Sequence, residues 1–193
     1  MVVIDNLVDD SGILLTDTAI KSGITKSALY SFIETHHYEK VAHGVYISPD
    51  AWPDEAYILS LRYPGAVFSH DEALYYHGLT DREPMQLTIT VYSGYGTARL
   101  IADGIKVYTI KQDLLDIGKI EITNSFGHKI PMYDLERTLC ALVRSRSSFE
   151  FQDFQTALKT YVSRKDKNLN RLMEYAKLFR VDRKVRELME VLL

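Results

Sequence analysis

The chain has one cysteine, Cys140, five prolines and one tryptophan in 193 residues. A lone cysteine closes no internal disulfide, and its apolar helical surroundings predict a small buried core residue rather than a nucleophile. No apolar run approaches the roughly 18 residues of a membrane span. The opening Met-Val-Val-Ile-Asp-Asn has no basic segment of the kind that begins a secretory leader. The expected address is therefore cytoplasmic, with no membrane partner. Low-complexity stretches and solenoid-like repeats are also missing.

Catalytic signatures are equally scarce. Gly-x-Ser-x-Gly, a Walker loop, a dinucleotide fingerprint and His-Glu-x-x-His do not occur. A restriction-type nuclease needs Asp/Glu-x-Lys on a strand to hold Mg²⁺ and activate water. The one such tripeptide, Asp182-Arg183-Lys184, falls in a helical pattern. A nucleotidyltransferase needs Gly-Ser followed by Asp-x-Asp, and neither is present. His70 and His77 are seven residues apart, and the adjacent His36 and His37 point in different directions, so neither pair makes a metal site by itself. The expectation is a non-enzyme with no cofactor.

What is present is a globular composition, 46% apolar, long enough for one medium domain or two small ones. The most informative stretch runs from residue 15 to 48. Thr16 is expected to cap a short helix with Ala19 and Ile20 facing inward, and Gly23 to end it in a left-handed conformation. Thr25 then caps a second helix, Lys26 to about His36, whose inward face is Leu29, Phe32 and Ile33. Lys26, Ser27, Tyr30 and Ser31 occupy the other face. Val41, Val45 and Ile47 alternate around His43-Gly44, which predicts a short hairpin with Lys40 and His43 near its tip. Helix, turn, helix and hairpin together read as a winged helix-turn-helix, with the second helix entering the major groove of double-stranded DNA. The candidate DNA-contact residues are Thr25, Lys26, Ser27, Tyr30, Ser31, Lys40 and His43.

Charge tempers that reading. Residues 1 to 50 contain three lysines, no arginine and seven acids, a net charge of −4. DNA-binding domains usually carry a basic footprint, and helix-turn-helix shapes also serve as packing units or protein-docking modules. Four acids, Asp5, Asp9, Asp10 and Asp17, precede the recognition helix and are expected to face away from DNA. Few neutralised phosphates per copy imply cooperative binding to an inverted repeat in the protein's own promoter. The basic end is the C-terminus, where residues 151 to 193 hold ten basic and six acidic residues. A solvated helix face is one explanation; an RNA, nucleotide or toxin-substrate contact through Arg164, Lys165, Lys167 and Arg171 is the other.

The fold class expected is α+β: a winged helix-turn-helix over 1–48, a linker at 49–53 where Pro49 and Pro53 interrupt both periodicities, and a mixed α/β domain over 54–193. Within the latter we expect helices at 54–63 and 71–77, strands at 66–69, 87–92, 105–110, 119–123 and 128–133, and a hairpin through Asn124-Ser125-Phe126-Gly127. From Asp134 onward four amphipathic helices form a helical bundle: Leu135, Leu139 and Leu142 share a face, as do Phe154, Leu158 and Tyr161, then Leu172, Ala176 and Phe179, then Val185, Leu188 and Leu192. Asp134 should cap the first of these and Arg137 pair with a neighbouring carboxylate. Ser69 is expected to cap the helix at 71, since consecutive Ser69, His70 and Asp71 do not converge as a triad. Tyr92-Ser93-Gly94-Tyr95-Gly96 is an exposed-looking loop whose tyrosines are either an ordinary turn or a contact for a base or a partner.

The segments Phe68-Ser69-His70-Asp71-Glu72-Ala73-Leu74-Tyr75-Tyr76-His77-Gly78-Leu79, Thr88-Ile89-Thr90-Val91 and Tyr133-Asp134-Leu135-Glu136-Arg137-Thr138-Leu139-Cys140, with Gly44-Val45-Tyr46 closing the first domain, resemble the AbiEi family of antitoxins in order and spacing. The resemblance extends through Ala157-Leu158-Lys159-Thr160-Tyr161 and Leu172-Met173-Glu174-Tyr175-Ala176-Lys177. Ala141 departs from an aspartate of the family. The resemblance implies a type IV toxin–antitoxin, abortive-infection system of phage defence. The first domain would repress its own operon, and the second would counter a nucleotidyltransferase toxin without a stable complex. Candidate antitoxin residues are Arg164, Lys165, Lys167, Arg171, Tyr92 and Tyr95. The alternative is a winged-helix transcriptional regulator whose second domain senses a ligand, with a cryptic enzyme third.

Overall fold

The computed structural model describes residues 3–192; Met1, Val2 and Leu193, which end the expected domain ranges, lie outside them. The chain is of mixed α+β class and divides into two compact units, Met1–Pro64 with Thr123–Ile130, and Gly65–Ile122 with Pro131–Leu193. Among the described residues no helix is long and apolar enough to cross a membrane.

After a 3-10 turn at Ile4–Leu7, the first unit runs through β1 (Ile13–Leu15), α1 (Thr16–Lys21) and α2 (Lys26–Thr35), followed by β2 (Glu39–Ala42), β3 (Val45–Ile47) and α3 (Glu55–Arg62). The three strands form an antiparallel sheet in the order β1-β3-β2, with Leu14 opposite Tyr46 and Lys40 opposite Tyr46 on the other side. Strand alternation gives the sheet two apolar faces. Leu14 and Tyr46 pack with Ala19, Leu29 and Ile33 of α1 and α2. Ile13, Val45 and Ile47 face the other way, against Tyr57, Ile58 and Leu61 of α3. The third helix therefore belongs to the first unit, and the expected linker at 49–53 is a turn inside it. Two prolines mark a turn as readily as a domain border, and only the second apolar face of the sheet distinguishes them.

Thr16 does not cap α1. It is the helix's first residue, Leu15 holds the cap position without a side-chain bond, and the buried Thr16 hydroxyl has no hydrogen-bond partner among the described residues. The hairpin end 123–130 joins this unit through His128, whose ring stacks on Tyr57 at 3.9 Å. Its Nδ1 lies 2.6 Å from the buried Asp54 carboxylate and its Nε2 lies 3.1 Å from Asp9. The Asn124 amide donates to Asp54 at 2.7 Å.

The second unit is built on a sheet of β4 (Val67–Phe68), β5 (Thr88–Tyr92), β6 (Lys106–Ile110), β7 (Lys119–Thr123) and β8 (Lys129–Tyr133), in the order β6-β5-β4-β8-β7. Strand β4 runs antiparallel to β5 and parallel to β8, and β5 runs parallel to β6. Helix α4 (Asp71–Tyr76) follows β4. Two short helices, α5 (Ala98–Ala102) and α6 (Gln112–Leu115), were not expected, because four or five residues are too few to establish a helical period. Four helices then close the chain as the periodicity indicates: α7 (Leu135–Arg144), α8 (Phe151–Ser163), α9 (Leu169–Leu178) and α10 (Asp182–Leu192). Every residue of α7 from Leu135 to Val143 is buried, and its last residue, Arg144, is exposed.

Gly118, at φ +75°, is required where the turn before β7 meets α7. A β-carbon there would sit 2.6 Å from Cβ and 2.9 Å from Cγ of Arg137. Gly118→Ala combines a strained backbone with a clash against a fully packed helix and should cost about 2 kcal/mol or more. Urea denaturation is the measurement; an unchanged midpoint would contradict this packing.

Candidate nucleic-acid interface

Thr25 starts α2 by accepting a hydrogen bond from the Ala28 amide at 3.3 Å. Gly23, at φ +91°, lets the preceding turn reverse so that the Ile24 amide reaches the Ala19 carbonyl at 3.1 Å. Leu29 and Ile33 are buried, which fixes the rotation of α2. Helical spacing then turns Lys26 and Tyr30, and Ser27 and Ser31, outward as two i, i+4 pairs, and all four are exposed. Lys40 and His43 are exposed on the β2–β3 hairpin, whose turn is closed by Gly44 at φ +71°.

Tyr30, Lys40 and His43 converge on one shallow pocket of about 270 Å³, with Tyr46 and Thr16 among its other walls. The Tyr30 ring stands edge-on to Tyr46 at 6.5 Å. Burial and the neighbouring Tyr30 phenol push the Tyr46 hydroxyl above its ordinary value, so it stays a neutral donor. Among the described residues Lys26 and Lys40 make no ion pair, which leaves both charges for an external anion. The acids divide. Asp9 accepts from the Ser11 and Ile13 amides and faces His128, whereas Asp17 lines the pocket itself, contrary to the expectation that it turns away.

The candidate residues of the second unit do not form one surface. Arg164 forms a two-pronged pair with Asp166 at 2.8 and 2.7 Å and donates to the His77 carbonyl at 2.7 Å. Lys167 donates to the Arg164 carbonyl at 2.9 Å. Both fasten the turn between α8 and α9, and only Lys165 and Arg171 of that group are exposed. Tyr92 packs on the core and meets Tyr95 edge-on at 5.3 Å, while the Tyr95 ring covers Gly65. This loop is a folded turn rather than an open stacking platform.

The Ser69-His70-Asp71 segment departs from expectation. Ser69 does not cap α4; His70 holds the cap position in a strained conformation at φ 51°, ψ −117°. Ser69 Oγ lies 2.8 Å from the Thr90 hydroxyl and 3.0 Å from His70 Nδ1, and His70 Nε2 lies 3.2 Å from the Ser145 hydroxyl. Stacked on Tyr108 at 3.5 Å and buried, His70 is held well below its ordinary pKa, first by desolvation and then by nearby Arg137 and Lys106. It is a buried imidazole whose neutral form is favoured. Asp71 turns elsewhere, to Lys106 at 2.7 Å.

Inside the second unit Glu136 accepts from the Asn168 amide at 2.9 Å and the Tyr161 hydroxyl at 3.4 Å. Among the described residues Arg137 has no carboxylate partner, contrary to expectation, and it lies between the Tyr133 and Phe179 rings at 4.3 and 3.7 Å. Burial pushes the Cys140 thiol up to about 12, which keeps it protonated. His77 is spent on the Tyr133 carbonyl at 2.7 Å. Among the described residues no cluster of three His, Cys, Asp or Glu side chains is placed to hold a metal.

No protein-family model and no curated protein matches the chain. Among solved structures, the RV2827C protein from Mycobacterium tuberculosis has a similar fold, with a TM-score of 0.62 and 15% identity over 90% of this chain and 69% of that one. At that identity the likeness is one of fold alone.

Glu72, buried in the first turn of α4, makes no hydrogen bond or ion pair among the described residues. Desolvation, with Asp71 and Glu83 nearby, raises its pKa from 4.5 to about 7. A raised carboxyl favours the folded state fully below about 4.5 and loses that contribution as the pH rises through about 7. His70 acts in the opposite sense, since a lowered imidazole loses its contribution as the pH falls below 6.5. Glu72→Gln should therefore be more stable than the parent at pH 8, by roughly 1–3 kcal/mol, with the gain fading towards pH 4.5. Thermal melts across that range test it, and equal stability at pH 8 would mean that Glu72 is well solvated.

Proposed function

We propose that the protein is a DNA-binding transcriptional autorepressor and an antitoxin. In this reading the first unit is a winged helix-turn-helix that reads the protein's own promoter. The second counters a nucleotidyltransferase toxin without a stable complex. The observation that carries the DNA-binding half is the set of seven exposed residues, Thr25, Lys26, Ser27, Tyr30, Ser31, Lys40 and His43, around the outward face of α2 and the hairpin tip. The antitoxin half is supported by the resemblance of the 68–79, 88–91 and 133–140 segments to AbiEi proteins.

The electrostatics limit how such a unit binds. With two unpaired lysines and Asp17 at the pocket, one copy neutralises few phosphates, so affinity must come from two copies on an inverted repeat. The unit that carries this activity includes α3, because a 1–48 fragment would expose Ile13, Val45 and Ile47.

Lys26→Ala and Tyr30→Ala should each weaken binding to the upstream operator. A lost base contact costs about 1–3 kcal/mol and relaxes specificity, while a lost phosphate contact lowers the salt slope by about one. Gel shifts with both variants at parental affinity would remove α2 from the groove. For the second activity, Lys165→Glu combined with Arg171→Glu should leave repression intact and reduce rescue of toxin-arrested cells. Arg164 is unsuited to this test because it fastens the α8–α9 turn. Undiminished rescue would clear this surface of any part in antitoxicity.

A further inference from the structure

Helices α8 and α10 lie against each other in the second unit and present matching stripes to a groove of about 580 Å³. Phe151, Phe154, Gln155, Leu158 and Lys159 of α8 and Lys184, Glu187, Leu188, Val191 and Leu192 of α10 occupy the same series of helical offsets. Phe154 and Leu158 form a buried floor. The rim is apolar yet wet, with Phe151 62% and Val191 84% exposed. Eight residues of helix rise about 12 Å, so the groove is about two turns long.

The charges lining this apolar strip are mostly basic: Arg146, Lys159 and Lys184 against the single acid Glu187. The Arg146 guanidinium lies 4.3 Å from the Phe154 ring and 5.6 Å from the Phe151 ring. Lys159 and Lys184 carry no ion pair among the described residues, and Glu187 is engaged by Arg183 at 3.2 Å. Three cations thus flank the groove without a free acid in its wall.

We propose that this groove binds an acidic amphipathic helix of a partner protein, with apolar anchors at i, i+3 or i+4, and i+7 and carboxylates on the flanks. Anchors at that spacing span about 10 Å, which matches the groove's length. A small amphiphile is disfavoured by shape, since such ligands bury most of their surface and Val191 stands almost fully in water. A second copy is disfavoured by charge, since a two-fold contact on this patch would bring like charges together.

The test uses the full chain and a fluorescein-labelled synthetic peptide of about four helical turns, with leucines at the anchor positions and glutamates on the flanks. Fluorescence anisotropy should show saturable binding that weakens as salt rises. Val191→Asp, and Lys159→Glu combined with Lys184→Glu, should each weaken it at least about tenfold, as should replacing the peptide's glutamates with lysines. All three side chains are exposed, and circular-dichroism melts verify that the variants fold as the parent does. The proposal is overturned by no binding, by equal binding of the two peptides, or by indifference to Val191→Asp. Displacement of the peptide by dodecanoate would assign the groove to a small amphiphile instead. A parental dimer that Val191→Asp converts to monomer in sedimentation velocity would assign it to a second copy.

Discussion

The second unit depends on burying nine consecutive residues of one helix. From Leu135 to Val143 helix α7 has no solvent face, so its polar groups turn to neighbours rather than to water. Asp134 caps it through the Arg137 amide at 2.8 Å and also accepts from the Tyr175 hydroxyl at 2.9 Å. Glu136 holds the start of α9 and one residue of α8. Thr138 returns its hydroxyl to the Asp134 carbonyl at 2.7 Å. These bonds fix which elements surround α7 and in what register, while Leu135, Leu139 and Leu142 supply the apolar area that drives the burial.

Arg137 is the costly member of that arrangement. Its Nε is buried without a hydrogen-bond partner, and burial lowers its pKa. Two aromatic faces take the place of a carboxylate, and they also set the packing of Gly118 against the arginine stem. A lysine, with a compact and strongly hydrated charge, would not fill the same planar slot between two rings.

In the first unit the corresponding constraint is the two-faced sheet. One face orients α2 through Leu29 and Ile33, and the other is closed by α3. With both faces committed, the outward row of α2 and the hairpin tip are displayed on a rigid base, and the unit's acidity is handled locally: Asp9 and Asp54 converge on His128, while Asp17 remains beside the basic side chains. In the proposed DNA-binding role, recognition by such a face would be sensitive to salt and to the number of copies bound.

Much of this architecture is legible in the amino-acid order, because local physics decides it. Periodicity located α7 to α10 and most strands, Thr25 and Asp134 announced their helices as caps, and the spacing around Leu29 and Ile33 settled which side of α2 meets solvent. Other features depend on residues distant in sequence. The true border after Pro64 follows from which apolar face α3 covers. His70 adopts a left-handed conformation because Tyr108 and the hydroxyls of Ser69 and Ser145 hold it there. Arg137 is flanked by two rings rather than by an acid among the described residues, and Arg164 is consumed by Asp166 and a carbonyl 87 positions away. The sequence by itself determined most of the elements, though not β1, α5 or α6, and the side chains able to do chemistry. The tertiary structure alone decided which remained available, because burial and partner geometry are properties of contacts between segments rather than of any one segment.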